Sequence, residues 1–296
     1  MLARPGLPSF LYIRADTHEE VVALVGQHEE AAALLMGGTD LFPRLRDGLL
    51  RPRVVIDVKH LPGMRGISFH QTSGLTVGAA VTMNALARHK DVLAHYPLLA
   101  ESANTVASYQ VRNRATLGGN LCNASPCADT SPATLVLEAE FVLVGPGGER
   151  SVPAVEFFLG PGLTSMEPGE FMTAVRFPTP PTRARGRYLK LGRTKGGDLS
   201  LVGVAILGYE DEVACGSRFR IALGSVAPVP LRALEAEKVL VNHALDEHTF
   251  AQASEKAVES ANPISDVRGG AAYQRAMVGS LVLRALRDFS RGLEEG

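Results

Sequence analysis

The chain has 296 residues, 46% of them hydrophobic, and its 30 basic side chains balance 31 acidic ones. That apolar fraction excludes wholesale disorder, and a formal charge of −1 removes the electrostatic footprint of a nucleic-acid binder. The sequence has no Lys/Arg run to hold an anionic membrane surface, and apolar runs such as Ala31 to Met36 fall far short of the ~20 residues that make a transmembrane segment.

In chain order, Phe10 to Ile13 reads as a short strand. Thr17 and Glu20 have capping-box spacing, and Val21, Val22, Leu24 and Val25 give the following helix an apolar face. Ala31 to Met36 reads as a buried strand that stops at Gly37-Gly38. A short helix follows, with Asp40 as its expected cap, Pro43 in its first turn and Gly48 as its stop. Arg53 to Val58 completes a strand–helix–strand pattern that favours a small parallel sheet. The style then changes. Gly74 to Ala80 is β-like, Thr82 caps a helix through Arg88, and Leu98 to Ala107 is a second helix. Leu135 to Val144 and Glu170 to Phe177 read as strands, the first ending in the Gly145–Gly148 turn. Pro178 to Gly186 is the linker candidate. Beyond it, Tyr188–Leu191, Val202–Tyr209 and Phe219–Val226 read as antiparallel strands, and helices are expected near 231–241, 246–260 and 270–291.

Two glycine pairs carry the chemistry, Met36-Gly-Gly-Thr-Asp-Leu41 and Thr116-Leu-Gly-Gly-Asn-Leu121. Successive amides in a tight turn form an anion nest, and the missing Cβ atoms admit phosphate oxygens to the main chain, so the pattern suits a pyrophosphate. A helix after Asp40 would add its positive end, and Thr39, Thr116 and Asn120 are further donors. The plain alternative, two strand-ending turns, stands beside this reading. There is no G-x-x-x-x-G-K-[ST] and no G-x-G-x-x-G, which disfavours Walker-type and Rossmann sites.

Cys122, Cys127 and Cys215 are too few for an internal iron–sulfur cluster or a disulfide framework and read as small buried hydrophobes. With prolines at positions 5 and 8 interrupting any N-terminal apolar stretch, no secretory signal is expected, and a cytoplasmic chain is. The eight histidines show no metal-ligand spacing, and no G-x-S-x-G elbow occurs.

Taken together, the segments at 36–41, 109–133 (YQVRNRATLGGNLCNASPCADTSPA) and 188–198 (YLKLGRTKGGD) resemble the FAD-binding medium subunit of molybdenum hydroxylases, the group of xanthine dehydrogenase and carbon monoxide dehydrogenase. Phe157 to Thr164 is similar to bacterial xanthine-dehydrogenase-type subunits. The resemblance implies an α+β fold of the vanillyl-alcohol-oxidase (PCMH) type. Its parts would be a small α/β FAD-binding subdomain over 1–58, a larger α+β subdomain over 59–178, and a C-terminal domain over 179–296 with a three-stranded antiparallel sheet and helices. FAD would lie, noncovalently, between the first two.

The resemblance also assigns residues. Leu34, Leu35, Met36, Gly37, Gly38, Thr39, Asp40 and Leu41 match the first FAD loop, and Thr116, Leu117, Gly118, Gly119 and Asn120 the second. Asp129 is expected near FAD hydroxyls, Val106 as a wall, and Met172 at a backbone contact to the flavin. Lys190 is expected near the flavin end and Asp198 beyond it. From the residues alone, Asp129 reads as the cap of the helix beginning near Thr130 and Lys190 as a solvated edge-strand lysine. The implied activity is electron transfer, with no catalytic residue and no metal site of the chain's own. The partners would be a [2Fe–2S] small subunit and a molybdenum-cofactor large subunit, and the acceptor NAD or another oxidant. A self-contained flavin oxidase and a scaffold subunit that has lost FAD are the rival readings, the second disfavoured by the intact glycine pairs at 37–38 and 118–119.

Overall fold

The computed structural model describes residues 6–194, 196–210, 216–241 and 243–294. The first lobe comprises β1 (Leu11–Arg14), α1 (His18–His28), β2 (Ala32–Leu35), α2 (Leu41–Arg46) and β3 (Val54–Asp57). The strands lie in the order β1-β3-β2 and all run parallel, as the alternation of strands and helices predicts. The capping box at the head of α1 forms in a shifted version. Thr17 Oγ1 accepts from the Glu20 amide at 3.1 Å, and the Glu20 carboxylate reaches back to the amide of Asp16 at 2.8 Å, one residue before the cap. Because the sheet is parallel, β2 and β3 end at the same edge, and the loop after β2 opens there, where α/β sheets place their ligands.

The second lobe begins with β4 (Ile67–His70) and β5 (Gly74–Gly78). A run of short helices follows: α3 (Met83–Arg88), α4 (Lys90–His95), α5 (Pro97–Thr105), α6 (Tyr109–Arg112), α7 (Leu117–Cys122) and α8 (Thr130–Val136). Then come β6 (Glu140–Gly145), β7 (Gly148–Pro153), α9 (Ala154–Phe157), the small β8 (Phe158–Gly160) and β9 (Leu163–Thr164) hairpin, and β10 (Phe171–Phe177). Its antiparallel sheet has the order β4-β5-β10-β6-β7.

One element departs from expectation. Leu135 and Val136 close helix α8 instead of opening a strand, and β6 starts only at Glu140, after a reversal at Glu138 (φ +52°). Every residue of α8 is buried, so it has no polar face to reveal a helical period, and a short apolar run reads as strand and helix alike.

The last part holds β11 (Arg185–Leu191), β12 (Val202–Tyr209), β13 (Arg218–Gly224), β14 (Leu231–Arg232), α10 (Leu234–Val241), α11 (Glu247–Ser260) and α12 (Ala271–Glu294). The sheet is antiparallel and has four strands among the described residues, not three. The extra one is a two-residue pairing of β14 with β13, too short to leave a sequence pattern. Both faces of this sheet are buried. Ala205, Leu207 and Ala222 join the core shared with the first two lobes, while Val202, Val204, Ile206 and Ile221 join a second core under α10, α11 and α12. No helix of the described residues is long and apolar enough to cross a membrane.

Candidate functional site

A cavity of about 400 Å³ opens where the three parts meet, within the usual size range of small-molecule sites. Its first wall is the loop that leaves β2. Gly38 holds a positive φ of +74°, and a Cβ there would run into the Phe42 ring. A Cβ on Gly37 would lie 2.3 Å from the Arg114 carbonyl oxygen, so the loop rests on the backbone just ahead of α7. Among the described residues, the amides of Gly37, Gly38, Thr39 and Asp40 donate to no protein acceptor. Asp40 makes no side-chain cap for α2, contrary to expectation, because its own backbone is already helical (φ −101°, ψ −37°).

The second glycine pair is built differently from the nest expected of it. Gly118 and Gly119 lie in the first turn of α7, capped by Thr116. Their amides are engaged: Gly118 donates to the Ala79 carbonyl at 2.9 Å and Gly119 to Thr116 Oγ1 at 3.2 Å. Gly118 serves close packing, since its Cβ would sit 2.6 Å from that of Ala79. Around Gly119 only the Thr116 hydroxyl is near, and the rest of that space belongs to the cavity. The pair therefore supplies clearance, and the free amides come from the first loop alone. Asn120 Oδ1 accepts from the Thr130 hydroxyl at 2.5 Å, which leaves the amide nitrogen as a donor on the cavity wall. The two loops touch directly, with Thr116 Oγ1 at 3.9 Å from Met36 Sδ.

Asp129 carries the third wall. It does not cap α8. Its Oδ1 accepts from the Tyr188 hydroxyl at 2.9 Å and its Oδ2 from the Lys190 ammonium at 2.8 Å. Burial pushes the Asp129 carboxyl up, opposed by the charge and hydrogen bond of Lys190 and by the hydrogen bond from Tyr188. Burial, with the carboxylate beside it, also raises Tyr188 well above the phenol range. Lys190 is on an edge strand, yet its side chain is only 12% exposed, so it is no solvated edge guard. Asp198 folds onto Arg193, whose guanidinium and amide it accepts, and this pairing holds its carboxyl down at about 2.

Of the residues expected at the site, Leu34, Met36, Gly37, Gly38, Thr39, Asp40, Leu41, Val106, Thr116, Gly118, Gly119, Asn120, Asp129, Met172 and Asp198 line this cavity. Leu35 and Leu117 do not. Both are buried in the protein interior, and the Leu117 amide is taken by the Val81 carbonyl. Lys190 is not among the lining residues and stands behind Asp129, to which its ammonium donates.

The wall also includes residues that sequence reasoning missed, among them Arg44, Met166, Glu170, Phe171 and Leu199. Arg44 lies one helical turn after Asp40, a spacing that puts both on one face. Tyr188 precedes Lys190 by two, so strand alternation places both on one face of β11. Met166 and Glu170 left no signal, since only the tertiary fold brings Met166 to Cys122 on α7 and Glu170 to Arg150 on β7. Cys122 lies on the wall, and burial pushes its thiol up to about 12. Cys127 is buried against Arg268, and Cys215 lies outside the described residues. Among the described residues no group of three His, Cys, Asp or Glu side chains is placed to hold a metal ion.

Residues 8–180 match the family model of the FAD-binding domain in molybdopterin dehydrogenase, and residues 187–289 that of the CO dehydrogenase flavoprotein C-terminal domain. The chain is 38% identical to the carbon monoxide dehydrogenase medium chain of Hydrogenophaga pseudoflava over 94% of its own length and 96% of that protein's. It belongs to the FAD-binding medium subunits of the molybdenum hydroxylases. Another similar member is the putative xanthine dehydrogenase FAD-binding subunit of Escherichia coli K12, at 31% identity over 94% of each chain. Among solved structures, the H. pseudoflava carbon monoxide dehydrogenase superposes with a TM-score of 0.90 at 38% identity, covering 95% of this chain and 97% of that one. Quinoline 2-oxidoreductase of Pseudomonas putida 86 gives 0.90 at 30%, covering 97% and 99%. As an FAD-binding medium subunit, the chain has a cavity suited to the cofactor. The open amides of the first loop, the bare Cα of Gly119 and the donor left on Asn120 are what a diphosphate needs.

Proposed function

We propose that the chain is the electron-transfer subunit of a multi-subunit molybdenum hydroxylase, standing between [2Fe–2S] clusters in a small partner subunit and NAD or another acceptor. Substrate hydroxylation would belong to a large subunit carrying the molybdenum cofactor, and the assembly to the cytoplasm. The observation that carries this reading is the row of unpartnered amides from Gly37 to Asp40 facing a cavity that the missing side chain of Gly119 keeps open.

In this reading the first loop holds the diphosphate, with Thr116 and Asn120 opposite. Asp129 accepts a hydrogen bond from an FAD hydroxyl, Val106 and Met172 flank the flavin, and Asp198 lies at the rim. Bound there noncovalently, FAD supplies the redox chemistry, and the chain supplies binding, orientation and electrostatics. The domain division at 58/59 and 178/179 belongs to the same reading and puts the cavity between the first two domains with the third closing it.

The test is purification of the full chain with and without its partner subunits. Yellow protein, or colourless protein that turns yellow with FAD, is expected, and its flavin absorbance should bleach on adding substrate only when the partners are present. A folded chain that takes up no FAD refutes the proposal. Substrate turnover by the chain alone would favour the self-contained oxidase instead.

A further inference from the structure

The two oxygens of Asp129 are gripped from behind the cavity wall by one strand. Tyr188 and Lys190 alternate along β11, so both reach the same carboxylate, and Lys190 also donates to the Thr105 carbonyl at 3.0 Å. Asp129 and Tyr188 are each only 5% exposed. Lys190 already supplies the countercharge. The phenol adds something else: a directional donor on one oxygen fixes the rotation of the carboxylate plane and so decides which lone pairs face the cavity. Tyr188 lies beyond residue 180, where the matched FAD-binding model ends.

We propose that Tyr188 is a positioning residue: its hydroxyl sets the orientation of Asp129, so that a strand of the C-terminal sheet governs how tightly FAD is held. This rests on the reading that Asp129 accepts a hydrogen bond from FAD. The other charged or titratable groups around the pair are Glu101 on α5, which accepts from the Tyr188 amide at 2.8 Å and pairs with Arg187, Cys127 just ahead of α8 with Arg268 at its sulfur, and Asp198 on the cavity wall, held by Arg193.

The experiment titrates the flavin-stripped full chain with FAD, following flavin fluorescence, for wild type, Tyr188→Phe, Asp129→Asn and the double variant. Tyr188→Phe should raise Kd about tenfold, the effect of one hydrogen bond to a charged group. It should add nothing once Asp129 is already Asn, because it acts only through that carboxylate. Removing the phenol donor disfavours the charged carboxylate, so on acidification the FAD affinity of Tyr188→Phe should begin to fall at a higher pH than that of wild type. A purely structural tyrosine would lower the melting temperature, give additive losses and leave the pH profiles parallel. A Kd within twofold of wild type, additive losses or parallel profiles each overturn the proposal. Should Asp129→Asn not fold, the pH profile of the single Tyr188 variant decides. A wild-type chain that binds no FAD overturns the cofactor reading and this proposal with it. Asp129→Asn with unchanged affinity overturns the placement of Asp129 alone, and Tyr188 with it.

Discussion

Replacing Gly119 by valine tests the clearance argument most directly. A Cβ at Gly119 would lie 2.8 Å from Thr116 Oγ1, and beyond that hydroxyl nothing but the cavity is within 4 Å. The perturbation has two parts. Crowding the cap strains the bond from the Gly119 amide to Thr116 and costs about 1 kcal/mol of stability. Leaving glycine for a residue that disfavours the helix less returns a few tenths of that. The two γ-methyls are the second part, and they occupy the approach to the first loop. If they lift a diphosphate off two of the open amides, at ~1.5–3 kcal/mol for each hydrogen bond to a charged group, the loss is ~3–6 kcal/mol. That is roughly 10²- to 10⁴-fold in Kd. Gly119→Ala separates the parts, since it brings the same Cβ to Thr116 without the branches. FAD titration of the flavin-stripped chain, with circular dichroism and thermal unfolding as checks on folding, gives the answer. A folded valine variant that binds FAD within about threefold of wild type, a difference under 1 kcal/mol, would refute the reasoning.

Gly37→Ala should act on the fold, because its methyl would press on the Arg114 carbonyl oxygen. An overpacking cost of about 1–3 kcal/mol should appear as a lower melting temperature in the flavin-free chain, and an unchanged one would show that the loops do not abut. Lys190→Met removes the charge that holds the Asp129 carboxyl down against burial, at a cost of about 3–5 kcal/mol near neutral pH. With the folded-state carboxyl raised still further above its unfolded value, protonation favours the folded variant. The stability gap to wild type should therefore narrow as pH falls from ~8 to ~5, and a gap that widens in thermal melts would contradict the assignment. Cys122, with its thiol pushed up to about 12, should resist iodoacetamide in the folded chain at ~pH 8 because almost no thiolate is present. Rapid labelling in a mass-spectrometric time course would count against its environment as described.

Much of this was legible in the chain. The capping box before α1, the parallel first sheet and the long helices at the end each write a local pattern that tertiary contacts did not override. The first glycine pair announced its site for the same reason, since it ends a strand. The second misled about its structure. Gly-Gly is a poor helix former, yet α7 stands because Thr116 caps it and Leu117 and Leu121 bury one face, with Gly118 demanded by Ala79. Nothing local could reveal that Tyr188 meets Asp129 across 59 positions, nor that Leu135 ends a helix buried on every side.

The sandwiched C-terminal sheet has a kinetic consequence. Leu207 and Ala222 lean toward the second lobe while Ile206 and Ile221 lean toward α10–α12, so swinging the last part outward would wet an apolar surface that water penalises by roughly 25 cal/mol per Å². The strip from Pro178 to Ala184 thus joins parts that travel together, and is no hinge. On the proposed placement of FAD, the cavity wall freest to yield to an arriving cofactor is then the turn between β2 and α2, whose amides from Gly37 to Asp40 have no protein acceptor to give up.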